Sequence, residues 1–264
     1  MPAILITTGF YVAFLIFLLI CNELLHRSKI LAWSVLVALP IILSPYWIFF
    51  SNESQTPFEW AKLYTLFFTC CCVLAYRYTS FEKTKWISFF VYGLLIINIF
   101  EAAFTDFTIH HIFNPLAGIL LIITIPSHHH IDVDNKSPYK DLIYTIPFGW
   151  IIGYTLWNLT FVYNNFPDFT ALHMAILGAP LIVDVFRRGH WFQTRLFTLT
   201  IRLLLDFTGP DIPQSLLTKN WFNHTAAIVL GLCSLLWMIG LTLYNWHTTR
   251  TLTGIPDNKP NLVQ

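Results

Sequence analysis

The sequence predicts an all-α fold, a polytopic transmembrane helical bundle in a single domain, on three observations. Of 264 residues, 56% are hydrophobic and only 11% are charged, with a mean hydropathy of +0.61. Soluble domains carry roughly 25% charged residues, so the polar side chains here are too few to cover a water-facing surface. Apolar stretches of about 20 residues, the length that crosses a hydrocarbon core, recur along the chain. Basic residues gather in alternate loops between these stretches.

Residues 3–25 and 30–50 are unbroken apolar runs, and 86–104, 143–162 and 223–245 are as clear. The run 62–76 is shorter, but Trp60 and Tyr76 can anchor its two ends at the membrane interfaces. Residues 170–186 carry His173 near one end and Asp184 near the other, on one face but roughly 16 Å apart along the axis, too far to share a ligand. Two segments admit more than one placement. Residues 114–126 suit a short or re-entrant helix as well as a full span. Residues 191–207 align Arg195, Thr198, Arg202 and Asp206 in one polar stripe, which either faces protein within the membrane or lies along the interface.

Eight or nine spans follow. With nine, Arg27, Lys29, Arg77, Lys83, Lys85, Arg187, Arg188, Arg250 and Lys259 all fall on one side, which is cytoplasmic by the positive-inside rule, and the amino terminus is outside. Eight spans would move the tail to the other side. The integral membrane domain is expected over residues 1–250 and a short cytoplasmic tail over 251–264. No Lys or Arg precedes Arg27, so the first run reads as a retained span and not a secretory signal.

Several function classes drop out. A net charge of +1 provides no concentrated cationic face, so nucleic acid is not an expected partner. Cys70, Cys71 and Cys72 point about 100° apart on a helix and cannot converge on one metal, and no CxxC spacing exists. His110 with His111, and the run His128, His129, His130 beside Asp132 and Asp134, lack a catalytic zinc frame. GxSxG, phosphate-loop and dinucleotide motifs are missing too. No metal or cofactor is expected, and an enzyme less than a carrier.

Ionisable groups inside spans are the candidates that remain, because each costs several kcal/mol unless paired or hydrated. Asn98, Glu101, Thr105 and Thr108 share one helical face, with Asp106 and His110 in a second row about 140° away. They either line a polar cavity around Glu101, open to the outer side near Asp106, or fix packing through a buried carboxyl. Gly149 and Gly153 form a small-xxx-small pair that admits a close neighbouring helix, and Tyr154 and Asn158 continue a polar line one turn apart. Asn158 either binds a solute or staples two helices.

Several strings, Asn22-Glu-Leu, Arg27-Ser-Lys, Asn98-Ile-Phe-Glu-Ala-Ala-Phe-Thr-Asp-Phe, Asn114-Pro-Leu-Ala-Gly-Ile, Leu156-Trp-Asn with Tyr163-Asn and Pro167-Asp, and Gly189-His-Trp with Arg195 and Thr198-Leu, together resemble one family. It is a family of bacterial polytopic membrane proteins of unknown function, and the resemblance runs from about residue 20 to 200. The chain departs from it at Leu25 and His26, where Gly and Arg are usual, and at Thr155, where an Asp is usual; a mechanism needing two carboxylates is therefore not carried over. The resemblance implies a bacterial cytoplasmic membrane location and draws attention to Asn98, Glu101, Asp106, Asn114, Trp157, Asn158, Tyr163, Asn164, Trp191 and Arg195.

The expectation is a transporter or permease for a small polar solute or ion, with Glu101, Asp106, Asn98, Asn158, Asn114, Tyr154 and Arg195 at its binding site and the lipid bilayer as its surroundings. The alternatives are a membrane-embedded enzyme acting on a lipid, with Glu101 or Asp106 as base and His110 as its partner, and a non-catalytic scaffold or receptor subunit. A cavity reaching Glu101 separates the first from the last.

Overall fold

The computed structural model describes residues 2–50, 56–79, 85–208 and 221–253. The chain runs through α1 (Pro2–Arg27), α2 (Lys29–Trp33), a π-helical turn at Ser34–Ala38, α3 (Leu39–Phe50), α4 (Pro57–Tyr78), α5 (Lys85–Thr108) and α6 (Phe113–Thr124). A two-stranded hairpin follows, β1 (Ile131–Val133) and β2 (Leu142–Tyr144), and then α7 (Phe148–Asn165), α8 (Thr170–Phe186), α9 (Trp191–Thr208) and α10 (His224–Thr253). The π turn immediately precedes Pro40: a proline has no N–H to donate and its ring crowds the carbonyl one turn back, and the wider turn gives it room. Helices α2 and α3 thus form one rod, which makes nine rods among the described residues.

Among the described residues six segments are long and apolar enough to cross a membrane: Thr8–Arg27, Lys29–Phe49, Pro57–Tyr78, Trp86–Thr108, Pro167–Phe186 and His224–Thr248. The protein is a membrane protein. Helix α6 has 12 residues, about 18 Å of rise, and is packed between α5, α7 and α10. Helix α9, the polar-striped segment, is buried on nearly every face against α1, α3, α4 and α8. It is the centre of the bundle and not an interfacial helix, which explains why the least apolar rod is the best covered.

The outer helices show the inverse pattern. On α5, Phe100, Phe104 and Phe107 are about 60% exposed, while Val91, Leu95, Ile99, Ala102 and Asp106 are buried. Its apolar stripe points outward and its polar residue inward, the arrangement lipid demands.

One boundary is corrected. The run 143–162 is not one helix: Leu142–Tyr144 pairs antiparallel with Ile131–Val133, in the register Ile131↔Tyr144 and Val133↔Leu142, and the helix begins at Phe148. Pro147 sets this start, since the residue before a proline is pushed to extended geometry. The tail expected over 251–264 lies outside the described residues beyond Thr253, where α10 is still helical.

The Gly149–Gly153 pair faces α10. A Cβ on Gly153 would lie 2.4 Å from Met238 Sδ, and Trp237 Nε1 donates to the Gly149 carbonyl at 2.9 Å. Gly118 on α6 is similarly required, because a Cβ there would meet Trp157 Nε1 at 2.9 Å.

Candidate functional site

Three polar clusters are buried in the bundle. The first lies among α4, α5, α7, α8 and α9. Helix α4 opens with a capping box, Thr56 Oγ1 accepting from Glu59 N and Glu59 accepting from Thr56 N, with Pro57 in the first turn. That start places Lys62 more than a turn inside, where its Nζ stands 3.1 Å from Glu101 Oε2 and donates to the Asn98 carbonyl at 3.3 Å. Neither Glu101 oxygen has a partner in hydrogen-bonding geometry.

Arg195 of α9 donates from Nη2 to Asn158 Oδ1 at 3.2 Å, and His173 Nε2 reaches the same oxygen at 2.6 Å. A guanidinium only donates, so the shared oxygen is an acceptor and His173 donates to it from Nε2. Arg195 is 5% exposed, with its Cζ 5.9 Å from the Tyr154 ring centroid, and its Nε and Nη1 have no partner. Beside it is a cavity of about 30 Å³, room for about two waters. Five leucines of α4, α5 and α9 form half of its wall, together with Thr69, Asn98, Tyr154, Phe192 and Arg195.

The second cluster surrounds Asp106, which is 0% exposed. Asn114 Nδ2 donates to its Oδ2 at 2.5 Å and Asn165 Nδ2 to its Oδ1 at 2.6 Å, and Asn114 also donates to the Trp157 carbonyl. These bonds tie α5, α6 and α7 together at one end of the bundle. Helix α5 stops just beyond, with His110 at φ +64. His110 N bonds Phe107 O and His111 N bonds Asp106 O, the paired bonds of a Schellman stop. The His110 side chain is exposed, and no hydrogen bond or ion pair joins it to Asp106 or Glu101. The base-and-partner arrangement expected for a lipid enzyme is therefore not assembled here.

The third cluster is a clasp at the opposite end. Asp141, just before β2, accepts at Oδ1 from His26 Nδ1 at 2.6 Å, Gln193 Nε2 at 3.0 Å and Arg77 Nη2 at 3.3 Å. His190 Nε2 lies 3.8 Å from its Oδ2. Arg77, 0% exposed, also donates to the carbonyls of Lys140, Tyr139 and His26. Arg187 and Arg27 both pair with Glu23 nearby. Burial works against the Asp141 charge, but the contacts from His190, His26 and Gln193 outweigh it and hold the carboxyl well below its usual range. Burial likewise opposes protonation of His190, yet Asp141 and the carbonyls of Arg187 and Arg188 outweigh it and raise its pKa.

Of the seven residues expected at the site, Asn98, Tyr154 and Arg195 line the cavity and Asn158 stands one contact behind Arg195; Glu101 does not line it, being joined to it only through Lys62 and the Asn98 carbonyl, so the cavity expected around Glu101 lies beside Arg195 instead. Asp106 and Asn114 form a separate cluster, so the cavity does not open beside Asp106. Lys62 was missing from the sequence reading, although the Thr56–Glu59 capping signature marks where its helix starts. His173 joins the core through Asn158, a partnership that spacing on its own helix cannot show. Among the described residues no three His, Cys, Asp or Glu side chains converge as metal ligands.

A family model described as a family of unknown function, DUF5692, matches residues 4–112 and 108–258. No curated protein and no solved structure matches the chain. The chain belongs to the DUF5692 family, a family of unknown function.

Proposed function

We propose that this member of the family is a transporter or permease for a small polar solute or ion, resident in a bacterial cytoplasmic membrane, with its site at the cavity beside Arg195. The observation that carries the reading is a buried, incompletely bonded guanidinium next to an unfilled space between α4, α5, α7 and α9. Desolvating such a group costs several kcal/mol, and Arg195 leaves two nitrogens without a partner where the structural Arg77 leaves one. The neighbouring Lys62–Glu101 pair adds a charge couple to the same interior. Arg27, Arg77, Arg187 and Arg188 at the clasp end favour a cytoplasmic location for that end and an amino terminus outside.

The test is flux in proteoliposomes against a panel of protons, monovalent cations, monovalent anions and small neutral solutes. Glu101→Gln and Arg195→Gln are expected to slow the transported species by about tenfold or more while the protein still elutes as a folded peak, since each removes a charge-assisted contact. Flux of every species equal to that of empty liposomes, or unchanged in both variants, sinks the reading.

A further inference from the structure

Among the described residues Lys62 faces Glu101 and Arg202 faces Asp206, but no carboxylate stands against Arg195. The fold supplies this guanidinium with one amide oxygen, from Asn158, and the face of one ring, from Tyr154. Two of its three nitrogens are left without a partner. Nothing about helix packing calls for that arrangement: a neutral residue would fill the position without the desolvation cost, and a carboxylate opposite would offset it. An occupant that brings its own negative charge completes it.

The cavity limits what that occupant is. Its volume of about 30 Å³ admits a molecule of a few non-hydrogen atoms. Half of its lining residues are leucines, including Leu66, Leu95 and Leu199, and with Phe192 they favour a short apolar body over a strongly hydrated ion. Asn98 is the one side-chain amide among the lining residues, whereas the Thr69 hydroxyl already donates to the Thr65 carbonyl at 2.6 Å. One uncompensated cation matches one negative charge, since Lys62 is matched by Glu101. We infer that the cavity binds a small monocarboxylate, its carboxylate on Arg195 and Asn98 and its short hydrocarbon part among the leucines. This rests on the reading of the cavity as the transport site and names its substrate class.

Thermal unfolding of the purified full chain in detergent tests it, with sodium acetate, sodium chloride and sodium gluconate at matched ionic strength. Acetate is expected to raise Tm saturably, by about 5 °C at a hundredfold excess over Kd, and gluconate, too large for the cavity, to leave it flat. The rise is expected to vanish in Arg195→Gln. It is also expected to vanish in Leu199→Trp, which keeps the charge and fills the space, so the test stands even if the arginine variant does not fold. No acetate-specific rise in the wild type, or an equal rise in either folded variant, overturns the inference. An equal rise with chloride overturns the monocarboxylate assignment. Flux of a cation or neutral solute without an acetate shift would retire this inference and leave transport standing; an acetate shift without flux of any species would retire transport and leave the binding site.

Discussion

The Asp141 clasp and the Arg195 core are built from the same kinds of residue and differ in how completely those residues are used. In the clasp a buried arginine meets a buried aspartate, and the aspartate collects His26, Gln193 and His190 as well. In the core, Arg195 has an amide and a ring face but no carboxylate, and the Glu101 oxygens approach Lys62 without good hydrogen-bonding geometry. The clasp is the more closed network, with Arg77 Nη1 its one unpartnered guanidinium nitrogen, and makes a joint; the core, with two unpartnered Arg195 nitrogens beside a cavity, leaves valence for something else. The Asp106 box, with two asparagines on one carboxylate and the Asn114 Oδ1 its unpartnered atom, falls nearer the closed side.

The largest effect expected from this difference is in the clasp. Arg77→Ala leaves Asp141 buried without its guanidinium and frees two loop carbonyls and the His26 carbonyl at the end of α1, and should destabilise the protein by about 3–5 kcal/mol. Replacing both partners, Arg77→Met with Asp141→Leu, should not restore stability, because His26, Gln193 and the hairpin lose their common acceptor. Unfolding in detergent reads both. Recovery in the double variant would mean the clasp is only an ion pair.

The core should answer the same operation in the opposite way. Lys62→Met alone leaves Glu101 largely buried and unpaired, for about 2–4 kcal/mol, and adding Glu101→Leu should recover most of that loss. The recovered double variant should nevertheless be inactive in the flux assay. A variant that recovers stability and retains flux would place the Lys62–Glu101 pair outside the working site.

Most of the fold was legible because lipid imposes a simple code: nine apolar runs became nine rods, and the polar residues within them turned inward. The hairpin escaped because each strand has three residues, too few for an alternating pattern, and Ile143 reads as the start of the apolar run that follows. Asn98, Glu101, Tyr154, Asn158 and Arg195 stood out as polar groups in apolar surroundings. Which of them meet was not legible, since Lys62 and His173 reach them from other helices. The clasp was hidden for the same reason. Asp141 looks like one more acid in a mixed-charge loop until α1, α4 and α9 bring His26, Arg77 and Gln193 to it.

The clasp also carries a pH signature that the core, if it binds and releases a solute, has no need of. The His190 pKa is raised above its ordinary 6.5, so its contribution is fully present below that value and is lost as pH rises through the folded-state pKa. The Asp141 pKa is lowered from 3.8, so its contribution is present above that value and is lost as pH falls through the folded-state pKa. Stability should therefore be greatest between about pH 4 and 6.5 and decline on the alkaline side. His190→Gln should flatten the alkaline decline and leave the acid limb in place. An unchanged alkaline slope in Tm against pH would remove His190 from the clasp.

The smallest effect separates a chain stop from a chemical role beside Asp106. His110 holds a left-handed backbone conformation at the end of α5, where a side chain costs about 1 kcal/mol and glycine costs none. His110→Gly keeps both backbone bonds of the stop, so it should leave stability unchanged or raise it by up to about 1 kcal/mol, with flux unaffected. A histidine acting as proton partner to Asp106 would instead lose activity on the same substitution without losing stability. That outcome would move the Asp106 box from the closed, structural side of the contrast to the open one, and the working site with it.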